Sequence, residues 1–175
     1  MKRLILIIFL LASTTSAFQL SWWLTVDFKA EGTSIEGIAI EDIDPSWKYA
    51  TVLSMDKIPK EALDTEPYDP MTEYNYRFVI EKDINKDGSS EKILTGIFKS
   101  KDGNTGRFVL ILEFVKKSWH KAFLEKGGKT SGFSILNETK EGVVFWTFCM
   151  ECEMAGYIKW NGKNYYIEWK REDYG

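Results

Sequence analysis

The chain is poor in the residues on which most recognisable chemistries are built. It has one histidine, two cysteines and four prolines among 175 residues. With His120 as the sole imidazole, any Ser-His or Cys-His mechanism must run through that one side chain, and a zinc site built on two histidines is excluded. No G-x-S-x-G elbow occurs: Gly32-Thr33-Ser34-Ile35-Glu36-Gly37 misses the spacing and sits in a strand-like context. H-E-x-x-H and phosphate-loop patterns are missing too. His120 stands beside Trp119 among lysines and reads as a sheet residue rather than a base.

Long apolar runs are also scarce. Leu4 to Ala12 is apolar but too short for a bilayer, which takes about 20 residues. It follows the basic Met1-Lys2-Arg3 and precedes Ser13-Thr14-Thr15-Ser16-Ala17, the pattern of a secretory signal peptide cleaved after Ala17. No cysteine lies near that point, so a lipid anchor is not supported and no stable membrane anchor is expected. The expected product is exported, periplasmic or extracellular. Basic residues are not in excess either: net charge is −3, and −5 once Lys2 and Arg3 are lost. Such a balance does not suggest nucleic acid or an anionic membrane as partner.

Only Cys149 and Cys152 can pair, and in an oxidising compartment an even pair is usually a disulfide. Their C-x-x-C spacing also allows thiol redox chemistry or half of a zinc site. Redox chemistry wants the pair at the start of a helix, and here it follows the strand-like Val143-Val144-Phe145-Trp146-Thr147-Phe148. A structural disulfide is the favoured reading.

What the chain has in plenty is strand pattern. Tyr74, Tyr76, Phe78 and Ile80 recur at every second position, and Ile93-Leu94-Thr95-Gly96-Ile97-Phe98 is β-branched and aromatic. Phe108 to Leu112 is apolar on both faces, as in a central strand, with Trp119 to Leu124 pairing beside it. Gly132 to Leu136 is a short strand. Tyr157 to Trp160 and Tyr165 to Trp169 flank Asn161-Gly162, a strong hairpin signal. Ahead of these, Trp22 to Val26 and Ser34 to Ile40 read as strands. Asp44-Pro45 opens a short helix to about Ser54, and a further turn begins at Pro59. Residues 64–72, with two prolines, form the best candidate loop. The expected fold is mainly β, a single antiparallel sheet or sandwich-like domain with one or two short N-terminal helices. Residues 18–72 form its N-terminal section and residues 73–175 its antiparallel section.

Between two of the strands lies Asp83-Ile84-Asn85-Lys86-Asp87-Gly88-Ser89-Ser90-Glu91. Oxygen-bearing side chains occupy its first, third, fifth and ninth positions and a glycine the sixth. That spacing lets a tight loop turn Asp83, Asn85, Asp87 and Glu91 toward one hard cation, with the Ser89 backbone carbonyl as a further ligand. It is not an EF-hand, because position twelve is Leu94 and the flanks are strands. The competing reading is a solvated polar turn, made of the same residue types. Three carboxylates at this spacing repel one another unless a cation lies between them. The stretch Asp83 to Phe98 resembles the calcium-binding loops of FG-GAP/VCBS-type repeats, in which D-x-[DN]-x-D-G-x-x-[DE] leads into an apolar strand. No second copy is evident, so a propeller is not implied. With the leader, the C-x-x-C and the closing hairpin, the whole resembles small exported bacterial proteins that carry one such loop. That resemblance implies a structural calcium ion and no particular activity.

Aromatics make up 15% of the chain, with seven tryptophans. Trp160, Tyr166 and Trp169 alternate along the final hairpin. They serve either as cross-strand core pairs or as a face that binds carbohydrate or protein. The first expectation for function is thus an exported calcium-stabilised binding or structural module, more a binder than an enzyme. The alternatives are a secreted hydrolase of cell-wall or other polysaccharide using two carboxylates, and a thiol-disulfide protein using Cys149 and Cys152.

Overall fold

The computed structural model describes residues 21–60, 70–150 and 152–171. The leader and residues 61–69 therefore lie outside the described residues. Three antiparallel sheets, three one-turn α-helices and a 3-10 turn at Met55–Lys57 are found among these residues, so the domain is mainly β.

The central sheet follows from the most apolar stretches. Strands β5 (Glu91–Ser100), β6 (Thr105–Val115) and β7 (Ser118–Gly127) form a meander joined by short turns. The β6 residues Phe108 to Leu112 are buried without interruption, as a strand covered on both faces must be. On the other edge of β5 two strands lie end to end. β3 (Trp47–Val52) pairs with the second half of β5, and β4 (Val79–Lys82) with the first half. They meet at Thr95: Leu53 N–H donates to the Thr95 carbonyl at 3.0 Å, and Thr95 N–H donates to the Phe78 carbonyl at 3.0 Å.

One face of this sheet meets a second, built in the order β11–β10–β9–β8 from β8 (Ile135–Glu138), β9 (Val144–Thr147), β10 (Met154–Trp160) and β11 (Tyr165–Arg171). Ile93, Val109 and Ile111 from the first sheet pack against Leu136, Val144, Trp146, Ile158 and Tyr165 from the second. The other face, carrying Leu94, Phe108, Leu110 and Leu112, is covered by Ile35, Ile40, Ile43 and Trp47. The N-terminal section is thus a lid over the central sheet and, through β3, a part of it.

Three elements differ from the sequence-based expectation. Trp22 to Val26 is not a strand: Trp22–Thr25 is a helical turn, α1. Adjacent strand residues point to opposite faces, whereas both tryptophans here are 4% exposed and belong to one core cluster. The stretch 34–40 is not one strand but a hairpin, β1 (Ser34–Ile35) and β2 (Ile38–Ala39), followed by a helical turn α2 (Ile40–Ile43). Its tight turn places Glu36 and Gly37 at positive φ. The expected helix from Pro45 to about Ser54 is strand β3. Asp44 opens no helix but closes α2, and its Oδ1 accepts from Ser46 N–H at 2.9 Å and Ser46 Oγ, a side-chain turn that aims the chain into the sheet. Here the free edge of β5 outweighs the helical spacing of Trp47, Ala50 and Leu53. A third helical turn, α3 (Pro70–Glu73), shortens the alternating stretch, so that β4 begins only at Val79.

Two further stretches differ in extent. Of the strand expected over Gly132 to Leu136 only Ile135 and Leu136 are strand, in β8, and the loop expected over 64–72 is helical from Pro70. The closing hairpin is found as expected. Asn161-Gly162 turns the β10–β11 hairpin, with Gly162 at φ 91° and Asn161 Oδ1 accepting from the N–H groups of Lys163 and Asn164.

Candidate metal centre

Residues 83–90 link β4 to β5, so the loop is held at both ends by neighbouring strands of one sheet. Two left-handed residues, Lys86 at φ 62° and Gly88 at φ 93°, curl it. Ile84 anchors it by packing against the cluster between the sheets. Asp83 accepts from Asp87 N–H at 3.1 Å and Gly88 N–H at 3.0 Å through its two oxygens. Asn85 Oδ1 accepts from Asp87 N–H at 2.9 Å, and Asp87 Oδ1 from Ser89 N–H at 2.8 Å. Ligand oxygens of Asp83, Asp87 and Glu91 lie within 4.8 Å of one another. The structure therefore gathers the three carboxylates and Asn85 on one loop, with Ser89 exposed on its outer turn.

Glu91 is the unusual member. It is the first residue of β5 and only 1% exposed. Its Oε2 accepts from Ile84 N–H at 2.6 Å, and no lysine or arginine among the described residues forms an ion pair with it. The flanking lysines are engaged elsewhere: Lys82 with Glu138, and Lys92 with Glu36 at 3.0 Å and Glu81 at 3.7 Å. Besides the Ile84 N–H, the Tyr165 hydroxyl stands by Glu91, and a buried carboxylate without a counter-charge is costly unless a cation is supplied.

Tyr165 ties the loop to the second sheet. Asn85 Nδ2 donates to its hydroxyl at 3.0 Å, and that hydroxyl donates to Glu113 Oε1 at 2.9 Å. Burial, and then the hydrogen bond to Glu113 and the charge of Glu91, push the Tyr165 phenol far above its ordinary range. It is a fixed neutral donor. Nothing local in the sequence announces it, since Tyr165 stands 80 residues after Asn85; the nearest cue is the Asn161-Gly162 turn, which places it at the start of a strand.

Other candidates separate. Cys149 and Cys152 are disulfide-bonded. Cys149 is buried in a core cluster with Phe78, Phe133 and Ile135, in the β9–β10 connection rather than at a helix start. Thiol-disulfide exchange needs an accessible sulfur, so this placement speaks against it. Trp160, Tyr166 and Trp169 do not share a face. Trp160 is the cross-strand partner of Tyr165, with ring centroids 4.7 Å apart, and Trp169 leans on Trp146 and Phe148. Tyr166 points the other way and is exposed. His120 is exposed, with Nε2 2.9 Å from Ser118 Oγ. That hydroxyl also lies 3.3 Å from the Val115 carbonyl, so the carbonyl and the imidazole compete for its one proton.

Among the described residues, the carboxylates whose acidity the fold shifts, Asp44, Asp56, Asp102, Glu141 and Glu168, are all pulled down. Hydrogen bonds are the foremost cause in four of them, and in Asp44 they outweigh the opposing effect of burial. A glycosidase general acid requires the opposite shift. A groove of about 760 Å³ lies apart from the loop, floored by Ile35, Ala50, Val52, Val79 and Leu94 with Lys29 and Glu31 also lining it. No sequence motif marks it.

Comparison with protein-family models, with curated proteins and with solved structures finds no match to this chain.

Proposed function

We propose that this chain is an exported β-domain stabilised by one calcium ion, and that it acts as a binding or structural module rather than as an enzyme. The observation behind this reading is Glu91, a buried carboxylate without a counter-charge, whose ligand oxygens lie within 4.8 Å of those of Asp83 and Asp87. Asp83, Asn85, Asp87 and Glu91 would supply side-chain oxygens and Ser89 its carbonyl. This hard, flexible donor set suits calcium better than zinc or copper. The ion would neutralise the loop and lock the β4–β5 connection to the sheet. Export fits an acidic chain with a basic, then apolar, N-terminus and a disulfide.

Thermal unfolding with calcium and with EDTA tests the site. A ligand held only by the folded state raises the melting temperature once it exceeds its dissociation constant. The expected rise is lost in an Asp83→Ala, Asp87→Ala double variant. No calcium-dependent rise at millimolar calcium, or one that survives the double variant, overturns the proposal.

A further inference from the structure

Three turns crowd one end of the sandwich. The Tyr165 hydroxyl bonds Asn85 of the β4–β5 loop and Glu113 near the end of β6. It therefore brings together the 83–90 loop, the β6–β7 turn and the β10–β11 turn. The β6–β7 turn is the unusual one. Phe114, Val115, Lys116, Lys117 and Ser118 are consecutive and exposed, with Phe114 at 54% and Val115 at 44%. Phe114 stacks edge-on against its cross-strand partner Trp119, with ring centroids 5.0 Å apart, so the ring stands out of the sheet in a fixed position.

The two residues at the tip, Lys116 and Lys117, have φ of 51° and 70°. A two-residue turn of this hand is cheapest with Asn-Gly, and neither position here has a residue of that kind. Lysine at both left-handed positions adds backbone strain and gains no fold-stabilising contact: neither side chain has an ion-pair partner among the described residues. Lys86 and Lys163, exposed on the two neighbouring turns, have none either. Of the carboxylates at this end Glu91 is buried and Asp83 and Glu113 are half-buried, while Asp87 is exposed beside Lys86. Asp83 and Asp87 accept N–H groups of their own loop, and Glu113 accepts from Tyr165. On the 83–90 turn exposed Asp87 offsets Lys86, so the cationic charge facing solvent is that of the other two turns, Lys116, Lys117 and Lys163.

We infer that this end docks on an anionic lipid surface through the β6–β7 turn, with Phe114 and Val115 entering the interface and Lys116, Lys117 and the neighbouring Lys163 facing the headgroups. Lysines near such a surface and apolar side chains sunk to the acyl boundary are the two contributions that peripheral binding combines. A soluble polyanion would use the lysines but gain nothing from two apolar side chains at the summit of a convex tip, which favours the bilayer. The inference does not depend on calcium being bound.

The test uses the full chain and vesicles of mixed phosphatidylglycerol and phosphatidylcholine, against phosphatidylcholine alone. The parent is expected to co-sediment with the anionic vesicles only, and less so as salt is raised. A Lys116→Glu, Lys117→Glu variant should bind more weakly by on the order of tenfold or more. A Phe114→Ser, Val115→Ser variant should weaken binding while keeping the parent's fold by circular dichroism, at a small loss of stability from the Phe114–Trp119 contact. An environment-sensitive dye on Phe114→Cys should shift to the blue on anionic vesicles. The same dye on Met154→Cys, at the opposite end of β10, should not. This pair separates docking through the tip from attachment through the apolar run Leu4 to Ala12. Failure of the parent to bind, equal binding to neutral vesicles, full binding by both variants, or equal dye shifts at 114 and 154 each overturns the inference. Binding to heparin without binding to vesicles assigns the lysines to a soluble polyanion instead and overturns it too.

Discussion

Trp146 donates its indole N–H to Thr95 Oγ1 at 3.1 Å across the interior between the two sheets, and both residues are 0% exposed. The same hydroxyl donates to the Phe108 carbonyl at 3.1 Å and stands 2.6 Å from Ser134 Oγ, from which it accepts. One hydroxyl oxygen offers one donor and two acceptor positions, and all three are used here. Thr95→Val keeps the shape and strips the bonds, leaving the indole N–H, Ser134 and the Phe108 carbonyl without this partner. We expect a loss of about 1–3 kcal/mol in urea unfolding at unchanged slope, largely restored in Thr95→Ser. Equal midpoints for parent and Thr95→Val would show that the node contributes nothing.

Next to it, Gly96 is required by space rather than by turn geometry. A Cβ there would lie 2.3 Å from the Phe108 ring and 2.5 Å from the Thr51 carbonyl oxygen. The ring can shift, but the paired backbone of β3 cannot move without breaking the sheet. Gly96→Ala should cost roughly 1–3 kcal/mol by the same measurement, whereas Gly162→Ala, with open space around it, should show only the strain of its positive φ.

Asp44 gives the fold an acid-sensitive contact. Burial opposes its ionisation, but Lys126 at 2.7 Å and the Ser46 donors outweigh burial and hold its carboxyl below the ordinary 3.8. Its contribution is therefore complete above that value and is lost as pH falls through the lower, folded-state value. Asp44→Asn keeps an oxygen for Ser46 and loses the ion pair. The variant should be less stable at neutral pH by about 0.5–1 kcal/mol, since Lys126 is half in solvent, and the gap should close below pH 3.8. A gap constant from neutral to acid pH would contradict this.

Tyr165→Phe removes the hydroxyl that orients Asn85 and receives no replacement at Glu113. We expect a stability loss of about 1–3 kcal/mol without calcium. On the calcium reading, affinity should also fall by roughly 10–100-fold, the usual effect of removing a group that orients a ligand. Isothermal titration with calcium reads the second effect separately from the first.

The parts of the fold legible in the sequence are those fixed by short-range pattern. The apolar run 108–112, the alternation before the loop, and Asn161-Gly162 state their conformation through spacing alone. The loop residues Asp83, Asn85, Asp87 and Glu91 were equally legible, because their grouping depends on one turn. What escaped depends on distant partners. Trp47, Ala50 and Leu53 have helical spacing, yet β5 offers them an unpaired edge. Trp22 and Trp23 form a helical turn because one core cluster takes both rings. Tyr165, Glu113 and the cationic tips gain meaning only when three turns meet at one end. The division of Trp160 and Tyr166 between two faces follows from register, which composition does not encode.

Because Leu53 and Phe78 hydrogen-bond the two sides of the same residue, the chain leaves the central sheet and returns to it within one residue's length. Everything between them is an excursion whose ends are already closed by the sheet. Lengthening such a segment costs only a slowly growing loop entropy, so this is where the domain can gain or lose residues without changing strand register. Among the described residues, Ile58, Met71 and Tyr76 in a shared cluster and the Arg77–Leu136 bridge are pins that any such change would have to leave in place. The fold thus has a natural socket for inserted sequence at the Thr95 seam, on the edge opposite β7 and independent of the turns at the cationic end.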